Sequence, residues 1–114
     1  MNSIIDVITK LNLEVISAVK RGNDLVAGGY ASDLLSCAMR GAKKDFLWVT
    51  LQSHVNVVAV ASLLNLAGVI ITEGNRPGPE TIAQAEKEKV NLLLTPQDTF
   101  SIVGQLTLLG ISGE

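Results

Sequence analysis

Four short polar runs hold most of the residues in this sequence that could do chemistry. They are Gly28-Gly29-Tyr30-Ala31-Ser32-Asp33, Gln52-Ser53-His54, Glu73-Gly74-Asn75-Arg76 and Pro96-Gln97-Asp98-Thr99. Each follows an apolar, strand-like segment and leads toward a segment with helical spacing. In parallel α/β sheets ligands bind at such junctions, beyond the carboxyl ends of the strands. Glycines there allow close backbone approach, and free N–H groups at helix starts favour an anion. The pattern predicts a cleft for a small anionic ligand, lined by Gly28, Gly29, Tyr30, Asp33, Gln52, Ser53, His54, Gly74, Asn75 and Asp98. Arg76 and His54 would add charge or donors.

Each of these residues also has a plainer role. Gly28-Gly29 could only release a tight turn. Asp33 and Asp98 suit helix N-termini, and His54 could cap the helix that follows it. Tyr30 could stack on a base or sugar, or be an ordinary half-buried tyrosine. Cys37, the sole cysteine, falls on the apolar side of a helix and reads as packed core.

No phosphate-loop or dinucleotide glycine fingerprint is present. One His and one Cys cannot make a closed zinc site. Adjacent Ser53 and His54 do not form a nucleophile–base pair, because neighbouring side chains rarely converge without a third orienting group. The sequence assigns no catalytic residue, no metal and no required cofactor. An enzyme working through His54 with Asp33 or Asp98 would need those groups within hydrogen-bond reach or one water apart.

The elements that must position these runs are legible. Ser3 and Asp6 have capping-box spacing, opening a helix to about Leu11. Leu13–Ile16 alternates like a strand, and residues 20–24 read as a turn. Leu25–Ala27 is strand-like and Asp33–Arg40 helical, ending at Gly41. Phe46–Leu51 is the near-unbroken apolar run of a strand buried on both faces. A helix Val55–Ala67, a strand Val69–Thr72, a helix Pro79–Lys89, a strand Leu92–Thr95 and a final helix through Leu109 follow. Pro79 and Pro96 suit first helical turns. Thr95 is expected as an N-cap with Asp98 three residues on, and Gly68 and Gly110 as C-caps. This alternation predicts one α/β domain over residues 1–114, a mainly parallel sheet of about four to five strands flanked by helices.

Composition narrows the function classes. The 114 residues are 47% hydrophobic and 18% charged, with a net charge of −2. Basic residues gather only as Lys20-Arg21 and Lys43-Lys44, too few to track a nucleic-acid backbone. The run Val55–Ala67 is polar-interrupted and shorter than the roughly 20 residues that span a bilayer. A single cysteine and no basic leader point to the cytoplasm. The helix from Val55 is apolar all round, which predicts burial on more than one side. A homodimer would cover its second face; the alternative is that other helices of the same chain cover it.

Taken together, Gly28-Gly29-Tyr30-Ala31-Ser32-Asp33-Leu34-Leu35-Ser36, Trp48-Val49-Thr50-Leu51-Gln52-Ser53-His54, Ile71-Thr72-Glu73-Gly74-Asn75-Arg76-Pro77 and Leu94-Thr95 with Asp98-Thr99 resemble the DRTGG domain family over nearly the whole chain. That module occurs beside CBS domains in some regulated pyrophosphatases and within some phosphate acetyltransferases. It is similar to the non-catalytic N-terminal domain of HPr kinase/phosphorylase. The sequence departs from the family pattern, with Gln52-Ser53-His54 where Gly-Asp-Arg is frequent and Thr72-Glu73-Gly74 where Thr-Gly-Gly is. The resemblance implies an α/β fold, dimerisation and adenine-nucleotide sensing. Its short forms are labelled serine kinases, but no kinase machinery lies in these residues. The Leu51-Gln52-Ser53-His54 form resembles a subgroup of anaerobic bacteria encoded near iron–sulfur hydrogenase components, which implies an adaptor for a redox-enzyme partner as the alternative role.

Overall fold

Five consecutive residues of β3 (Phe46–Thr50) are buried, as a strand covered by helices on both faces must be. In the computed structural model, which describes every residue except Ala18 and Glu114, β3 lies inside a five-stranded sheet of order β1-β5-β4-β3-β2. Strands β2 (Gly28–Ala31), β3, β4 (Gly68–Ile71) and β5 (Leu92–Leu94) are parallel. The short β1 (Glu14–Val15) closes the far edge antiparallel to β5.

Strand alternation divides the core into two layers. Phe46, Trp48, Val69, Ile71, Leu92 and Leu94 face α2 (Leu35–Gly41), α3 (Asn56–Leu64) and α4 (Pro79–Glu88). Leu47, Val49, Ile70 and Leu93 face α1 (Ile4–Leu11) and α5 (Thr99–Leu108). Register pairs Ala31 with Val49, Thr50 with Ile71 and Ile71 with Leu94, so the four parallel strands end along one rim. Every loop that leaves a carboxyl end starts there. Among the described residues no helix is long and apolar enough to cross a membrane.

Several boundaries lie as the sequence predicts. Ser3 and Asp6 exchange both capping-box bonds, Asp6 N to Ser3 Oγ at 3.1 Å and Ser3 N to Asp6 Oδ2 at 2.9 Å. Pro79 opens α4. Gly110, at φ 90°, follows the end of α5.

Several boundaries differ, three of them with a clear physical cause. Thr95 is not an N-cap: its N–H donates to Ile71 O at 3.0 Å and continues the sheet pairing. Pro96 therefore lies outside the helix, and Asp98 caps α5 through Ser101 N at 2.7 Å. Gly68 is not a C-cap but the first residue of β4; Asn65 ends α3 in the left-handed conformation, which asparagine tolerates. A Cβ on Gly68 would come within 3.1 Å of Asn91 O, so packing accounts for that glycine. The first parallel strand is Gly28–Ala31, not Leu25–Ala27, because Val26 N is drawn to Asn2 O at 2.8 Å.

Helix α3 is flanked by α2 and α4 of the same chain. Val57, Val58, Val60 and Ala61 are buried, while Ala59 and Leu63 remain exposed. The apolar character that suggested a second subunit on this helix is thus met largely within one chain.

Candidate functional site

At the rim, Asp33 joins two loops. Its Oδ1 accepts from Thr50 Oγ1 at 3.0 Å and from Leu51 N at 2.9 Å, while its carbonyl accepts from Gln52 Nε2 at 3.1 Å. Gln52 N returns to Thr50 Oγ1 at 3.1 Å. Asn75 Nδ2 donates to Leu51 O, bringing the loop after β4 against the loop after β3. Thr81 Oγ1 donates to Ser53 O at 2.9 Å and ties the start of α4 to the same place.

Threonines close the strands. Thr50, Thr72 and Thr95 are all fully buried. Thr50 binds Asp33, Thr72 shares a 2.7 Å hydroxyl contact with Thr99, and Thr95 Oγ1 accepts from Gln97 N at 3.2 Å. The sequence assigned Thr50 and Thr72 no role and Thr95 only a cap, although Val49-Thr50, Ile71-Thr72 and Leu94-Thr95 each end an apolar run on the same residue.

Of the predicted lining residues, Asp33, Gln52, Ser53, His54, Gly74, Asn75 and Asp98 lie on rim loops or at helix starts beside them. Gly28, Gly29 and Tyr30 do not: they form β2 itself. A Cβ on Gly28 would sit 2.7 Å from both the Phe46 ring and Ser112 O. Gly29 N donates to Ser112 O at 2.8 Å. The Tyr30 ring packs so tightly over Gly41 that a Cβ there would overlap it. These residues serve packing along an edge strand.

The helix starts expected to hold an anion are partly occupied: α5 has a side-chain cap, whereas α2, α3 and α4 have none. His54 Nδ1 accepts from Asn56 N, the first residue of α3, at 3.1 Å, and Asp98 caps α5. At α4, Pro79 removes a donor and Glu80 places negative charge in the first turn. Glu73 and Gly74, both at positive φ, turn their N–H groups into Gln97 O at 2.8 Å and Thr95 O at 2.9 Å. Arg76 points to β1, where it grips Glu14 with two bonds of 2.9 and 2.8 Å. Neither Asp33 nor Asp98 bonds His54; each carboxylate holds other donors.

What remains open at the rim includes four neutral groups, beside the Glu73 and Glu80 carboxylates. Among the described residues, Gln52 Oε1, Ser53 Oγ, His54 Nε2 and Asn75 Oδ1 have no partner. With Nδ1 accepting from the backbone, neutral His54 carries its proton on Nε2. The four groups offer two amide acceptors, a hydroxyl and an imidazole donor.

Three carboxylates are held below their ordinary values, which sets a pH response. The backbone N–H of Ser3 lowers Asp6, that of Ser101 lowers Asp98, and the side-chain bonds from Arg76 lower Glu14. Each binds its proton less readily folded than unfolded. The stability they contribute is present above the ordinary values of 3.8 for Asp and 4.5 for Glu, and is lost as pH falls through and below them. Thermal scans should show Tm declining below about pH 4, with a shallower decline in Glu14→Gln.

A separate apolar groove, partly open to solvent, runs between β2, α5 and the segment Ile111–Gly113. Val49, Val103, Leu106 and Ile111 line it, and of the predicted site only Gly29 and Tyr30 reach it.

A family model described as the DRTGG domain matches residues 6–109. Among solved structures, the chain is similar to the CBS and DRTGG domains of the regulatory region of Clostridium perfringens pyrophosphatase, complexed with its activator diadenosine tetraphosphate. The TM-score is 0.75 at 17% identity, over 91% of this chain and 45% of that one. The likeness is therefore one of fold, and this chain spans less than half of that structure. No curated protein matches the chain.

Proposed function

This chain belongs to the DRTGG domain family, and from that premise we propose that it is a non-catalytic regulatory module that senses an adenine nucleotide and works as a homodimer. The observation that carries the ligand reading is the rim: loops after β3 and β4, locked together through Asp33, Leu51 and Asn75, present Gln52 Oε1, Ser53 Oγ, His54 Nε2 and Asn75 Oδ1. Adenine has an exocyclic amine that donates and ring nitrogens that accept. Two amide oxygens suit the first, and a hydroxyl with an imidazole N–H suits the second. The activator of the Clostridium perfringens regulatory region is a nucleotide of the same class.

The rim lacks an unpaired cation, so the nucleoside is read and the phosphates extend into solvent. The regulatory part of the reading is supported by the likeness to the regulatory region of Clostridium perfringens pyrophosphatase. Asp33 and Asp98 hold backbone donors and His54 Nδ1 accepts from Asn56 N, so none of the three is paired with another.

Isothermal titration with AMP, ATP and diadenosine tetraphosphate tests this. Binding should differ by less than about tenfold between AMP and ATP, because added phosphates find no partner. Gln52→Ala and Asn75→Ala should each weaken it about fivefold, the worth of one hydrogen bond. No heat from any of the three would overturn the reading.

A further inference from the structure

Helix α5 is apolar on more sides than the sheet can cover. Ile102 and Leu106 are buried, yet Phe100 is 89% and Leu108 88% exposed. Phe100, Gly104 and Leu108 follow at four-residue steps and so share one outer face. A glycine within a helix costs about 1 kcal/mol relative to alanine. Packing inside the chain does not explain Gly104, since a Cβ there would meet nothing within 4 Å.

We propose that this face of α5 is where a second copy of the chain docks, antiparallel across a two-fold axis at Gly104, with each Phe100 packed on the other copy's Leu108. The proposal rests on the homodimer part of the reading above and supplies its surface. Charge selects the occupant. Residues 99–113 hold none of the charged residues, 9 Lys and Arg plus 11 Asp and Glu, of the sequence. Such a face offers nothing to compensate a charged partner, whereas two copies of it meet without like-charge pairs. A lipid surface would call for several basic residues flanking the apolar stripe; residues 99–113 have none, and Lys10, near their end, is bound to Asn2.

Symmetry agrees. An isologous contact requires that residue i meet j while j meets i. Large apolar residues four positions before and four after Gly104 meet that requirement when the helix is reversed. The bare backbone at the centre lets the two helices approach closely.

The intact chain should sediment at twice its 12.1 kDa mass, and Phe100→Glu should return it to the chain mass with unchanged circular dichroism. In a Cys37→Ser background, Gly104→Cys should cross-link to a dimer under mild oxidation, whereas Leu63→Cys on α3 should not. A dimer that persists in both Phe100→Glu and Leu108→Glu, without cross-linking through position 104, would overturn this surface while leaving the homodimer standing. A wild-type chain that stays at the chain mass at all concentrations would sink both.

Discussion

Replacing Trp48 by alanine lowers the unfolding free energy by about 3–5 kcal/mol. The side chain is fully buried on β3, within the layer formed with α2, α3 and α4. Its loss removes the largest apolar contact there and leaves a cavity that strands hydrogen-bonded on both sides cannot collapse to fill. It also frees Ser32 O, which accepts from Trp48 Nε1 at 2.9 Å. A small domain holds only about 5–15 kcal/mol in total, so the variant should lie near its folding limit. Trp48→Phe keeps most of the volume but loses the N–H and part of the ring, and should cost about 1–2 kcal/mol. Urea denaturation with an unchanged m value checks both; a cost below about 1 kcal/mol for alanine would contradict this packing.

Asp33→Ala should lower stability by about 1–2 kcal/mol and weaken nucleotide binding at least about tenfold. Both effects arise from one carboxylate oxygen. It serves the hydroxyl of the fully buried Thr50 and the N–H of Leu51. Without it the buried hydroxyl loses its acceptor, and the Leu51 N–H loses the anchor that fixes the loop whose Leu51 carbonyl holds Asn75. Asp33→Asn keeps an acceptor oxygen at the same place and should retain most of the stability and at least half of the affinity. Calorimetric titration beside denaturation separates the two contributions. Equal behaviour of alanine and asparagine would show that Asp33 does not orient the rim.

Much of the fold was legible because its local signals are strong. The apolar run of β3, the Ser3–Asp6 capping box and Pro79 at the start of α4 each report a preference of a few neighbouring residues. The failures come from competition at a distance. Nothing local distinguishes Thr95 as an N-cap from Thr95 as a strand residue; its pairing with Ile71 decides it. Gly28-Gly29 looked like a loop because glycine is poor in strands, yet the Phe46 ring and the C-terminal segment leave room for nothing larger at Gly28.

The site followed the same division. That polar runs after successive strands share a rim was readable from strand–helix alternation alone. Which groups there remain open was not, because it depends on partners far along the chain. Several of the donors expected for an anion are occupied by His54, Asp98, Thr95 and Gln97. Arg76 was drawn off by Glu14, 62 positions away.

An amide-resolved NMR titration of the intact chain with AMP reads the binding surface directly. The account predicts shifts concentrated at Gln52, Ser53, His54 and Asn75, with Val103 and Thr107 in the groove beside α5 unmoved. Shifts confined to that groove, or none at saturating nucleotide, would contradict it.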